Sequence, residues 1–257
     1  MNKRISRCAV ICTFAVLTTG RLDAGERRFT FVYEATTEKE GEWEFEQWVT
    51  WKTAKENNRD FDRFEFRSEV EYGVTHDFQL GFYLSDWRYE ENSSEGKRGG
   101  EWRNVAVEGI WNLADPTTDP IGLALYGEIK YGDELLELEG KLIAQKDYGK
   151  LTLAYNATIE AEWEGHSYDE DNGELQQTAG LSYQFSPRYH AGIELLHEFG
   201  IPDWRGVRGK STLYLGPNFS YRTETWWATL TPLFQVSDVE DEPDFQMRLI
   251  FGMPLGD

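Results

Sequence analysis

The stretch FDRFEFRSEVEYGV, residues 61–74, repeats with a two-residue period. Five of its apolar side chains share one parity: Phe64, Phe66, Val70, Tyr72 and Val74. The intervening positions carry mostly arginine and glutamate. Because neighbouring side chains of a strand point to opposite faces, this period predicts a β-strand with one apolar face and one charged face. The solvent on the apolar side then decides the fold.

The same alternation recurs along the chain, most clearly in LTLAYNATIEAEW at 151–163. No segment has a convincing helical period. We count twelve predicted strands of roughly ten to fourteen residues, long enough to cross a bilayer when tilted. They cover residues 41–53, 61–74, 76–84, 104–113, 121–132, 134–146, 151–163, 175–185, 189–199, 211–222, 225–236 and 244–253.

The connections between these strands alternate in length. Short turns are predicted at 75–77, 114–120, 146–149, 186–188 and 222–224, and longer polar loops at 54–60, 90–100, 164–173, 200–210 and 237–243. The connection at 132–133 is short where a long loop is expected. This sorting is typical of an outer-membrane barrel. We therefore predict an all-β, up-and-down antiparallel transmembrane β-barrel of about twelve strands, with the apolar faces in lipid and the charged faces in a wet lumen.

The N-terminus predicts export. A basic segment precedes an apolar run too short to span a bilayer, so residues 1–24 are predicted to be a signal peptide. Both cysteines, Cys8 and Cys12, lie in it, and no thiol chemistry is expected in the mature chain. Residues 41–257 are assigned to the barrel. The apolar stretch at 29–36 would make the strand number odd, so residues 25–40 are predicted to be a periplasmic segment or a plug in the barrel mouth.

Charge and motifs exclude several function classes. The net charge of −20 disfavours nucleic-acid binding. The four histidines have no metal-ligand spacing, and no serine-hydrolase elbow or cofactor motif is present. Glutamate pairs such as Glu137 with Glu139 and Glu160 with Glu162 resemble glycosidase pairs, but such neighbours recur on most strands. We predict no enzyme, no cofactor and no metal site, although acidic loops could hold calcium.

Strand parity selects two sets of side chains. The predicted lumen-lining residues are Arg63, Glu65, Arg67, Glu69, Glu71, Glu108, Glu128, Lys130, Glu137, Glu139, Lys141, Glu160, Glu162, Glu194 and Arg248. Tryptophans near strand ends predict two interfacial girdles, made of Trp43, Trp111, Trp226 and Trp227 near the short turns and Trp51, Trp87, Trp102 and Trp163 near the long loops.

Several segments resemble a family of uncharacterised bacterial outer-membrane β-barrel proteins, known only as a domain of unknown function. They are WEFEQWVTWKT (43–53), FDRFEFRSEVEYGVTHDFQLGFYL (61–84), DPIGLALYGEI (119–129), AYNATIEAEWE (154–164), GLSYQFSPRYHAGIEL (180–195) and LGPNFSYRTETWW (215–227). The resemblance covers nearly all of the mature chain. It implies the location and the barrel architecture, and no site residues.

The sequence therefore predicts a narrow channel in the bacterial outer membrane for small polar or cationic solutes, because glutamates outnumber basic residues on the predicted lumenal face. Its expected partners are membrane lipid, lipopolysaccharide and small solutes, with no nucleic acid. One alternative is a closed structural or adhesive barrel whose acidic loops bind divalent ions or lipopolysaccharide. A second is a soluble periplasmic β-protein.

Overall fold

The computed structural model describes residues 27–93, 96–168, 170–204 and 209–256. The predicted signal peptide, residues 1–24, lies outside the described residues. Within them, no helix is long and apolar enough to cross a membrane.

The described chain forms twelve β-strands in an all-antiparallel order. They are β1 (Trp43–Lys55), β2 (Asn58–Thr75), β3 (Phe78–Asn92), β4 (Lys97–Ala114), β5 (Gly122–Gly132), β6 (Leu135–Tyr148), β7 (Leu151–Glu164), β8 (Glu170–Ser186), β9 (Tyr189–Ile201), β10 (Lys210–Arg222), β11 (Trp227–Gln235) and β12 (Pro243–Pro254). Every strand pairs with its neighbours in sequence. The predicted number of strands and up-and-down order are confirmed.

The first and last strands close the sheet into a barrel. Trp48 of β1 pairs with Ile250 of β12 on one side and with Arg67 of β2 on the other. Closure removes both sheet edges, so every strand has hydrogen-bonding partners on two sides. Both ends of the barrel chain lie at one rim, where the backbone N–H of Leu255 donates to the carbonyl of Trp43. We call this rim the terminal end and the opposite rim the loop end.

The two faces of each strand meet different environments, as the opening stretch predicts. On β2, Phe66 is 39% exposed on the outside, whereas Glu69 and Glu71 are buried inside. On β7, Leu153 and Ile159 are exposed, and Asn156 is buried. The apolar outer face and polar inner face are those of a transmembrane β-barrel.

Several strands extend further than their apolar periods indicate. The predicted loop at 54–60 is a tight turn, because Lys55 already pairs with Asn58. Likewise β3 and β4 continue to a pairing of Asn92 with Lys97. The ends of these strands at the loop end are polar on both faces, so they have no hydrophobic period by which the sequence could reveal them. The longest connections at the loop end are those that follow β9 and β11.

Candidate functional site

Residues 27–40, which we call the N-terminal segment, form no strand of the sheet. They lie inside the barrel as far as Glu38 and reach the terminal end at the exposed Lys39 and Glu40. Their backbone N–H groups donate to lumenal side chains. Thr30 and Phe31 donate to Glu194 at 2.9 and 2.7 Å, and Tyr33 donates to Asn156 at 2.7 Å. The segment therefore lies in the lumen, and for this position alone we also call it the plug.

The carbonyl groups of the N-terminal segment also bind wall side chains. Asn156 donates back to the carbonyl of Tyr33, and Asn218 donates to that of Arg28. Asn112 donates to the carbonyl of Ala35 at 3.1 Å, and Arg248 donates to that of Thr30 at 3.2 Å. Buried backbone groups need such partners, and here amide and charged side chains supply what a neighbouring strand normally supplies.

Apolar and cationic contacts fix the middle of the N-terminal segment. The ring of Tyr33 meets that of Tyr126 edge to face, with centroids 5.1 Å apart. The ammonium group of Lys141 lies 3.9 Å from the Tyr33 ring centroid, a cation–π geometry. Phe31 packs in a buried cluster with Leu196 and other wall residues. The plug is thus held by side-chain packing as well as by backbone bonds.

Arg27 joins the start of the N-terminal segment to two strands. Its guanidinium contacts Glu46 of β1 at 2.7 Å and Glu71 of β2 at 2.8 Å. Although burial by itself lowers the pKa of Arg27, the two carboxylates raise it well above its usual value. The guanidinium is therefore charged, and removing it would leave two buried carboxylates unpaired.

The N-terminal segment separates two cavities. One, of about 460 Å³, lies toward the loop end and is bounded by Phe31 and Tyr33; we call it the loop-end cavity. It shares lining residues with a further cavity of about 490 Å³ at the loop rim. The other, of about 650 Å³, lies at the terminal end and is bounded by Arg28 and residues 36–39. The segment is the partition between them.

The loop-end cavity is densely charged and close to balanced. Its basic lining residues number eight: Lys52, Arg63, Arg67, Arg88, Arg103, Lys130, Lys141 and Arg248. Its acidic lining residues number nine: Glu65, Asp86, Glu128, Glu137, Glu139, Glu160, Glu162, Glu174 and Glu198. Most basic side chains lie on β1 to β4 and β12, and most acidic ones on β5 to β9. Most basic and most acidic side chains therefore lie on different sides of the lumen.

A row of glutamates crosses five neighbouring strands in register. Glu108 pairs with Glu128, Glu128 with Glu139, Glu139 with Glu160, and Glu160 with Glu174. We call this the acid row. Like charges directly opposite on neighbouring strands destabilise a sheet. Their presence together concentrates negative potential on one side of the lumen.

Basic side chains neutralise only part of the acid row. Lys130 contacts Glu128 at 2.8 Å, and Lys141 contacts Glu139 at 2.8 Å. Within the part of the chain that the structure describes, Glu160 and Glu162 form no ion pair. One oxygen each of Glu137, Glu160 and Glu162 lies within 4.8 Å of the others. This stretch of wall is therefore suited to attract cations.

The predicted lumen-lining residues fall in two places. Eleven of them line the loop-end cavity: Arg63, Glu65, Arg67, Glu128, Lys130, Glu137, Glu139, Lys141, Glu160, Glu162 and Arg248. The other four are buried nearer the terminal end, at the level of the N-terminal segment: Glu69, Glu71, Glu108 and Glu194. Glu194 binds the segment directly, and Glu108 accepts hydrogen bonds from Tyr83 and Tyr126.

The tryptophans of the proposed girdles lie on the outer face with one exception. Trp43, Trp87, Trp102, Trp111 and Trp226 are exposed, and Trp51 and Trp163 are partly exposed. The assignment of Trp227 to a girdle is wrong. Trp227 is 1% exposed and its indole N–H donates to Glu44 at 2.9 Å inside the barrel. Adjacent residues of a strand face opposite sides, and Trp227 shares its parity with the inward Thr229.

Sequence reasoning missed several residues of the lumen. Arg88, Arg103 and Glu174 lie in the polar outer parts of strands, where both faces carry charge and parity alone is uninformative. Trp48 is buried in the lumen, and its parity with Glu46 and Thr50 is the signal that could have placed it there. Arg27 of the N-terminal segment had no such signal, since the segment has no regular partner strand.

The fold and the polar lumen define a porin-like β-barrel of the outer-membrane kind. The chain belongs to the Family of unknown function (DUF6662), whose model matches residues 21–246. No curated protein matches the sequence.

Three solved structures show the same fold. The COG4313 outer membrane channel from Pseudomonas putida F1 superposes with a TM-score of 0.64 at 12% identity, over 84% of this chain and 96% of that one. The NanC porin gives 0.56 at 10% identity, over 81% and 98%. The KdgM porin gives 0.53 at 10% identity, over 83% and 99%.

Proposed function

We propose that the protein is an outer-membrane channel for small polar or cationic solutes. The observation that carries the proposal is the acid row, a line of like charges on the wall of a polar cavity within a closed barrel. Like charges in such a row destabilise the sheet, and attraction of cations into the lumen is a function that would account for their presence. The apolar outer face supports location in a membrane, and the similar structures named as channels or porins support transport.

The near balance of charge in the loop-end cavity refines the expected selectivity. Basic side chains on β1 to β4 and β12 face the acid row across the lumen. A cation follows the acidic side, and a neutral polar solute finds hydrogen-bond donors and acceptors on both sides. The preference for cations over anions is therefore modest. The N-terminal segment, between the two cavities, sets the narrowest point of the path.

Planar bilayer recording of the purified full-length protein tests this proposal. In a salt gradient we expect discrete conductance steps and a reversal potential of the sign that favours cations. A truncated protein lacking residues 25–40 should conduct more, because the partition between the cavities is gone. A barrel whose truncated form also fails to conduct, while showing heat-modifiable gel mobility, is not a channel. Anion preference in both forms contradicts the proposed role of the acid row.

One observation favours a closed barrel as the second candidate. The N-terminal segment bonds to wall side chains on most of the strands, including Gln79 of β3, Gln145 of β6 and Glu194 of β9. Such a plug fits a structural barrel that acts through its outer loops. Liposome swelling in small sugars separates the two functions. A channel admits the sugar, whereas a closed barrel admits it only when residues 25–40 are removed.

A further inference from the structure

Three carboxylates meet where the N-terminal segment approaches the start of the barrel wall. Glu38 of the segment, Glu44 of β1 and Glu71 of β2 each place one oxygen within 4.8 Å of the others. All three residues are buried, with exposures of 4%, 3% and 2%. Glu44 and Glu71 are cross-strand partners in the wall, and Glu38 comes from the N-terminal segment, so the cluster joins the segment to β1 and β2.

The backbone around Glu38 is fixed by specific bonds. Its N–H donates to the side chain of Gln79 at 2.7 Å. The carbonyl oxygen of the next residue, Lys39, lies only 2.1 Å from the position that a Cβ on Gly73 would take. Gly41 donates to the carbonyl of Gly73 at 2.8 Å. The absence of a side chain at Gly73 thus lets the segment reach β2 and carries Glu38 to the cluster.

Negative charge around this cluster exceeds the positive charge that the structure provides. Six buried glutamates lie in this part of the lumen: Glu38, Glu44, Glu46, Glu69, Glu71 and Glu108. Arg27 pairs with two of them, Glu46 and Glu71. An oxygen of Glu38 and both oxygens of Glu69 are buried without a hydrogen-bond partner. An ionised carboxylate in that condition costs several kcal/mol.

The protein has two ways to remove this cost, a proton or a cation. A proton neutralises one carboxylate and leaves the other two facing each other. A divalent cation neutralises two carboxylates at once and supplies partners for several oxygens.

We propose that Glu38, Glu44 and Glu71 bind a calcium ion that fastens the N-terminal segment to the barrel wall. All three ligands are carboxylate oxygens, which a hard cation prefers to histidine or cysteine. Calcium accepts six to eight oxygen ligands in flexible geometry, which suits a cluster assembled from three separate backbone positions. A neighbouring trio of Glu46, Glu69 and Glu71 is less suitable, because Arg27 pairs with two of its members and with only one member, Glu71, of the proposed site.

Terbium luminescence provides a direct binding test. Terbium replaces calcium at oxygen sites and emits when a nearby tryptophan is excited, and Trp227 donates a hydrogen bond to the ligand Glu44. The metal-free full-length protein in detergent should show saturable terbium emission that calcium displaces. The Glu38→Gln variant should weaken terbium binding at least about ten-fold, because the site loses one charge of three.

Glu40→Gln is the matched control, since Glu40 lies two residues further along the same segment and is exposed. It should bind terbium as the unmodified protein does. Equal affinity in the Glu38→Gln and Glu40→Gln variants would overturn the proposal, because the emission then comes from the acidic loops. Calorimetry that detects no calcium binding to the unmodified protein would overturn it as well. Both readouts are independent of conductance, so a failed channel does not decide the fate of the site.

Discussion

The ring of Phe29 occupies the space in which a side chain at Gly180 would begin. An ideal Cβ on Gly180 lies 2.5 Å from a ring carbon of Phe29. The close approach brings the N-terminal segment against β8 and buries Phe29 completely. This glycine is therefore needed for the plug to dock, and not for the conformation of the strand.

The Gly180→Val variant should form a barrel whose plug is displaced. The valine side chain would overlap the Phe29 ring, because the two would lie closer than van der Waals contact. The Phe29 ring must therefore move. We expect a larger single-channel conductance than that of the unmodified protein. Gly127→Val is the control, because the nearest atom to an ideal Cβ there is 4.0 Å away. Similar conductance in both variants would show that Phe29 does not hold the plug.

Removing the Glu194 carboxylate should release the first half of the N-terminal segment. Glu194 accepts bonds from the backbone of Thr30 and Phe31 and from the hydroxyl of Thr231. Each bond to a charged acceptor contributes about 1.5–3 kcal/mol, so Glu194→Ala should weaken docking by at least about 3 kcal/mol. Hydrogen exchange followed by mass spectrometry should show faster exchange in residues 27–35.

The matched control for this experiment is Glu198→Ala. Glu198 lies on the same strand and faces the lumen, but it lines the loop-end cavity and accepts no hydrogen bond from the described residues of the N-terminal segment. Its removal should leave exchange in residues 27–35 unchanged. Faster exchange in the strands of the Glu194→Ala protein would mean that the wall, and not the plug, depends on this residue.

Two adjacent tryptophans should differ in their effect on stability. Trp227→Ala opens a buried cavity and leaves Glu44 without its indole donor, and such changes cost about 3–5 kcal/mol. Trp226→Ala removes an exposed side chain that stacks on Phe251 with centroids 5.9 Å apart, and its cost should be about 1 kcal/mol. Urea unfolding in lipid vesicles measures both. Equal losses would contradict the inward position of Trp227.

Neutralising the acid row should reduce cation preference. The double change Glu160→Gln with Glu162→Gln removes one carboxylate of the acid row and its neighbour on the same face of β7, and neither forms an ion pair among the described residues. The ratio of potassium to chloride permeability, obtained from the reversal potential, should fall toward one. Glu224→Gln, at an exposed position in the turn between β10 and β11, is the control and should leave the ratio unchanged. An unchanged ratio in the double variant would remove the acid row from the permeation path.

The wall of the barrel was predictable from sequence because each strand carries its own period. Leu153 and Asn156 reveal their faces through their immediate neighbours. The N-terminal segment was not predictable in the same way, since FTFVYEAT has a strand-like composition but binds single side chains remote in sequence. Thr30 and Glu194 are 164 positions apart. Trp227 shows the other limit, since a tryptophan near a strand end suggests an interface even when its parity points inward.

The hydrogen bonds from wall side chains to the main chain of the N-terminal segment have a consequence for evolution. Asn156, Gln145 and Glu194 accept hydrogen bonds from backbone N–H groups, which every residue type except proline possesses. A substitution by another small residue at Thr30 or Ala35 keeps the N–H group, whereas a change of Asn156, Gln145 or Glu194 removes the acceptor. Across relatives, Asn156, Gln145 and Glu194 should therefore stay constant even where the side chains at Thr30 and Ala35 have changed.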